Sequence, residues 1–179
     1  MRKLIELTHV SLGGTIDPLD WAMPYLDDDH FAYSTSLLDN ADALLLGRKT
    51  YEGLSVAYPA MPPNAFVTRM NTIPKYVASR TLTNTTWNAE VVKTDVIDFV
   101  TELKTRPGNH ILKYGNGPLS TTLLRNNLID EFHLLLTPVA VGKGYHLFED
   151  LDDDPALTLA ATHQFGSGVL ALVYTPTSH

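Results

Sequence analysis

The residue types that point first to chemistry are those of a phosphate cradle. Residues 41–54 read ADALLLGRKTYEGL, an apolar run that stops at Gly47 and is followed by Arg48, Lys49 and Thr50. That change of pattern reads as a buried strand ending in a turn that opens a helix. Such a junction presents free backbone N–H groups and the positive end of a helix dipole. Two cations and a hydroxyl beside those groups suit a phosphate. The plainer alternative is a turn at Gly47 with both cations in solvent. A second strand–glycine–helix junction follows the HILKY run of residues 110–114, at Gly115-Asn116-Gly117-Pro118 and Leu119. A third strand, residues 75–79, delivers Arg80 at its end.

Carboxylates and histidines are the other reactive types. Asp27-Asp28-Asp29 precede His30, Phe31 and Tyr33. Acidic residues in a first helical turn favour the dipole, so capping explains them as a group, although one such carboxylate can face a cleft. His9, His30, His110, His133, His146, His163 and His179 show no spacing typical of a metal site, and no metal is expected. The chain contains no cysteine, which excludes disulfides, a thiol nucleophile and thiolate metal ligation.

These groups need a frame that brings strand ends together. The sequence predicts strands over residues 3–12, 43–46, 75–79, 87–92, 110–114 and 129–138. Helices are expected after Asp29 and over residues 49–56, 65–72 and 95–105, with another after Pro118. Residues 15–26, with Pro18, Trp21 and Pro24, read as a long ordered loop. Residues 58–64 hold three prolines and read as irregular. Residues 157–165 and 169–174, joined by Gly166-Ser167-Gly168, read as a hairpin. Strands alternating with helices argue for an α/β fold with a mainly parallel central sheet and an antiparallel C-terminal hairpin, in a single domain spanning residues 1–179. In such sheets ligands bind outside the carboxyl ends of the strands, where both glycine junctions and Arg80 fall.

Composition narrows the classes. With 179 residues, 44% hydrophobic and 18% charged, the chain can bury a substantial core and has an ordinary globular balance. A formal net charge of -7 does not support nucleic-acid binding, which needs a basic surface. No apolar run approaches the ~20 residues that span a bilayer, so neither a membrane nor a signal peptide is expected and the composition fits a cytoplasmic protein.

Four blocks in order, VSLGGTID (residues 10–17), ADALLLGRKTYEG (41–53), PKYVASR (74–80) and ILKYGNGPL (111–119), resemble the dihydrofolate reductase-like family. The branch is the one that includes the reductase domain of the bifunctional riboflavin-biosynthesis deaminase/reductase. TPVAVGKGYHLF (137–148) and FGSGVLALVY (165–174) fit it as well. The resemblance implies a dihydrofolate reductase-like three-layer fold and NADPH lying along the strand ends. It assigns cofactor contacts to Gly47, Arg48, Lys49 and Thr50, to Ser79 and Arg80 beside the adenosine 2′-phosphate, and to Gly115, Asn116, Gly117, Pro118 and Leu119. It implies hydride transfer to a small heterocyclic or carbonyl substrate, with a proton from an acid or water. Trp21-Ala22-Met23-Pro24 before Asp27 is similar to a family pattern that places a carboxylate at the start of the first helix. Asp27, then Asp28, are accordingly the candidate acids, and Trp21 a candidate substrate contact. The branch usually carries Ser-Leu-Asp-Gly where this chain has Ser11-Leu12-Gly13-Gly14, and Asp17 is the candidate replacement for that carboxylate. The branch also suggests a homodimer. Two alternatives keep the fold and drop the turnover: a dinucleotide-binding sensor, and a structural interaction module.

Overall fold

The structure, a computed structural model, describes residues 1–177. Ten strands and five α-helices form among the described residues. The strands are β1 (Leu4–Ser11), β2 (Thr15–Asp17), β3 (Ala41–Gly47), β4 (Lys75–Ala78), β5 (Ala89–Val91), β6 (His110–Tyr114), β7 (Glu131–Thr137), β8 (Tyr145–His146), β9 (Leu157–Gln164) and β10 (Leu170–Pro176). The helices are α1 (Asp28–Asp39), α2 (Arg48–Ala60), α3 (Ala65–Thr72), α4 (Val96–Thr105) and α5 (Pro118–Arg125).

Eight strands make one sheet in the order β5-β4-β3-β6-β1-β7-β10-β9. The first six run parallel, and β10 and β9 add antiparallel at one edge. The expected mainly parallel sheet with its C-terminal hairpin is therefore what the chain forms. Central strands buried on both faces read as apolar runs, which is why Leu44, Leu45 and Leu46 in β3 are all fully buried. Their side chains alternate between two cores. Leu44 and Leu46 join Leu38 of α1, Tyr51 of α2 and Met70 of α3 on one face. Leu45 joins Val100 and Leu103 of α4 and Leu123 and Leu124 of α5 on the other. Helix–sheet–helix is a three-layer arrangement.

Two segments differ from the sequence expectation. α2 continues through Pro59 to Ala60, where residues 58–64 read as irregular. A proline in the last turn removes one N–H, and Tyr58 offsets that loss by packing on Phe66 and stacking on Trp87, with ring centroids 6.1 and 5.9 Å apart. The loop at residues 15–26 contains β2, paired with β8, and a 3-10 helix over Asp20–Tyr25. No helix among the described residues is long and apolar enough to cross a membrane.

Candidate functional site

The parallel strands end together at one edge of the sheet, and the candidate residues collect there. α2 starts directly after β3 with Gly47 as N-cap, and no side chain caps it. α5 starts directly after the turn that follows β6, with Gly117 as N-cap and again no side-chain cap. Both helices therefore present free N–H groups at the same edge. A Cβ added at Gly47 would meet nothing within 4 Å, so the approach to the α2 N-terminus is open. The two junctions touch. A Cβ at Gly115 would lie 3.2 Å from Thr50 Oγ1, and Gly115 has φ +74°, where a side chain is strained in any case.

Arg48 turns away from the helix start. Its guanidinium bonds Glu52 and the Thr81 hydroxyl, which ties α2 to the turn at residues 79–81. Ser79 Oγ accepts from Leu82 N at 3.0 Å and shapes that turn. Arg80 is exposed and makes no ion pair among the described residues. Just past β5, Val92 N bonds Val77 O at 3.0 Å, so Lys93, a further cation, stands beside the Ser79-Arg80 turn. An open groove of about 540 Å³ runs alongside, lined by Tyr76, Thr83, Lys93 and Phe99 among others. Lys49 reaches across the opening to Asp17 in an exposed ion pair. Pro118 is the first residue of α5, and Leu119 is half-buried against the second core.

Beneath the glycine turn lies a buried polar network. Lys113 Nζ is 3.0 Å from Glu6 Oε2, and the two side chains are 3% and 0% exposed. The ammonium also donates to Gly115 O and to Ser120 Oγ at 2.7 Å. Asn116 Nδ2 donates to Glu6 Oε1 at 2.7 Å, and its Oδ1 accepts from Phe148 N at 3.0 Å. The turn is thus fastened to β1, to α5 and to the chain after β8. Sequence reasoning missed Glu6 and Lys113. Their signal was a lone formal charge inside each strand, in LIELTHVS and in HILKY.

The candidate acids divide. Asp27 is the N-cap of α1: Oδ1 accepts from His30 N at 2.9 Å and Oδ2 from Ser167 N at 2.7 Å. The His30 N–H above all holds its carboxyl below the usual aspartate range. That is a capping carboxylate whose ionised form the two backbone N–H groups favour. Asp28 opens α1 exposed, and Asp29 accepts from Gly166 N at 2.7 Å. Trp21 is half-buried, and its Nε1 is buried with no acceptor among the described residues.

The missing carboxylate at Gly13 has a steric cause. A Cβ there would collide with the Val141 carbonyl oxygen, and one at Gly144 with the Asp17 carbonyl oxygen. The β1–β2 and β7–β8 connections are pressed together at both points. Asp17, the candidate replacement, forms an exposed ion pair with Lys49. Of the seven histidines, His179 lies outside the described residues. His9 and His30 meet at this end of the sheet, with ring centroids 5.0 Å apart.

A family model described as the RibD C-terminal domain matches residues 4–171. The uncharacterized protein YyaP of Bacillus subtilis (strain 168) is 32% identical over 181 residues, covering 97% of this chain and 94% of the relative. A solved structure of a protein named for riboflavin biosynthesis, from Shewanella sp. PV-4, superposes with a TM-score of 0.79 at 21% identity, over 98% of this chain and 99% of that one. Schistosoma mansoni dihydrofolate reductase superposes with a TM-score of 0.62 at 15% identity, over 98% of each chain.

Proposed function

Because this chain belongs to the RibD C-terminal domain family and has a dihydrofolate reductase-like fold, we infer that it is a reductase transferring a hydride from NADPH to a small heterocyclic or carbonyl substrate. One observation carries the reading. Two helix N-termini without side-chain caps, at Gly47 and Gly117, open on the same sheet edge and touch through Thr50 and Gly115, and Arg80 nearby makes no ion pair among the described residues. Free N–H groups at two helix starts suit two phosphates of a dinucleotide. Open space in front of Gly47 and the side-chain-free turn at Gly115 fit a cofactor that needs close backbone approach. NADPH would supply the hydride. The Gly115-Asn116-Gly117 turn, held by Glu6 and Lys113, would fix where the nicotinamide end lies. A guanidinium can donate two parallel bonds to a 2′-phosphate, which is the role proposed for Arg80.

NADPH and NADH titrations of the wild type and Arg80→Ala test the cofactor. The wild type is expected to prefer NADPH, and Arg80→Ala to weaken NADPH alone by about tenfold, ~1.4 kcal/mol. No binding of either dinucleotide at millimolar concentration overturns the cofactor, and equal affinity for both removes the role of Arg80. Turnover is read as NADPH oxidation with dihydrofolate, pteridines and pyrimidine ribityl or ribosyl compounds. Binding without oxidation by any of them points to a sensor.

A further inference from the structure

Two imidazoles at the same end of the sheet lie outside the set of residues proposed to hold the dinucleotide. The last β1–β6 pair is Leu7↔Tyr114, and Gly115 N bonds Leu7 O at 2.9 Å, so His9 runs just past it beside the glycine turn. Strand alternation puts the His9 side chain on the face of Ile5 and Leu7, which α1 and α2 cover. There it meets His30 of α1, the two ring planes inclined at 36°. His30 meets Phe31 edge-on, with centroids 5.3 Å apart, and Phe31 is 45% exposed. An aromatic wall thus continues outward from the imidazole pair.

The hydrogen bonding of the pair is incomplete. His9 is half-buried and bonds no described residue, while His30, 8% exposed, has only Ser34 Oγ at 3.5 Å from Nε2. Ring nitrogens that the protein leaves free at a half-buried position are open to a ligand's donors and acceptors. Burial drives the His9 pKa down to about 3 and lowers that of His30, against the pull of Asp27. Near neutral pH each ring therefore carries one N–H donor and one nitrogen acceptor.

We propose that His9 and His30 are the substrate-recognising residues of this protein, a pair of neutral imidazoles that hydrogen-bond the N–H and C=O groups along the edge of a planar ring. The assignment rests on the cofactor reading for the side of the cleft on which the substrate lies. It replaces a carboxylate anchor with uncharged donors and acceptors, in keeping with Gly13 and with the occupied oxygens of Asp27.

Histidine-selective 15N NMR tests it, with lumazine and uracil as probes. At least one probe is expected to shift the ring nitrogens of His9 and His30 saturably while those of half-buried His146 and exposed His163 stay in place. His9→Phe is expected to lose about tenfold in probe affinity, the scale of one to two hydrogen bonds, and His9→Gln to keep it within about threefold. NADPH affinity serves as the fold control and should match the wild type in both variants. Probe binding that leaves both rings unmoved, unchanged affinity in His9→Phe, or no binding of either probe overturns the proposal. If NADPH fails to bind while a probe still moves the two rings, the cofactor reading falls and the assignment of the imidazoles stands.

Discussion

Asp27 shows how one carboxylate at a helix start is assigned a role by what donates to it. Two backbone N–H groups, from His30 and Ser167, stabilise its ionised form, so its folded pKa lies below the unfolded one. The stability it contributes is present above the unfolded value and is lost as pH falls through the folded one. These bonds support a capping role, and kinetics separate it from the role of acid for hydride transfer. Asp27→Asn keeps one acceptor oxygen for the cap, so NADPH-dependent turnover is expected to stay within about threefold, whereas loss of a general acid costs on the order of 10²–10⁴-fold. Asp27→Ala removes both bonds and should lower the melting temperature more than Asp27→Asn does. A hundredfold drop in kcat for Asp27→Asn, with melting little changed, would restore the acid role.

At the scale of elements, the glycine turn after β6 depends on a buried ion pair. Breaking a buried pair by removing one partner costs about 3–5 kcal/mol because the other charge is left uncompensated. Lys113→Met strands Glu6, which is fully buried, and frees Gly115 O and Ser120 from their common donor. Urea unfolding should show that loss, and NADPH affinity should fall with it. The double variant Glu6→Gln with Lys113→Met should recover part of the stability but not the affinity, since the turn stays unfastened. This element also marks where the sequence stops being legible. β3 and β6 are readable as apolar runs ending in glycine, and that local signal locates Gly47, Gly115 and Gly117. Nothing local says that Glu6 and Lys113 face each other, because a charge in a strand ordinarily implies solvent. The same limit hides what Arg48 and Lys49 reach, since Thr81 and Asp17 come near only through the fold. It hides the β2–β8 pair too, which depends on backbones meeting at Gly13 and Gly144.

For the whole molecule, the buried bases fix how stability varies with acid. His9, His30 and His133 all have folded pKa values below the ordinary 6.5, in each case mainly through burial, with His9 at about 3. Between the folded and unfolded values the unfolded chain binds more protons, so stability rises with pH across that window. The contribution is complete above about pH 6.5 and is lost as pH falls toward 3. Lys75, buried and lying 4.1 Å from the centroid of the Trp87 ring, has its pKa lowered to about 8 by burial, so the same sign recurs between that value and 10.5. Acid also removes carboxylate charge from a chain of net charge -7, so the wild-type curve alone does not isolate any one group. Comparison with His9→Gln does, because glutamine keeps the polarity and removes the titration. Urea unfolding at pH 7, 6, 5 and 4 should show stability falling steadily in the wild type. The slope should be shallower in His9→Gln, by up to one proton's share, ~1.4 kcal/mol per pH unit. Parallel curves would mean that His9 gains its proton as readily in the folded protein as in the unfolded chain. A ring that charges so easily is open to water, and burial would then set neither its protonation nor this part of the acid sensitivity.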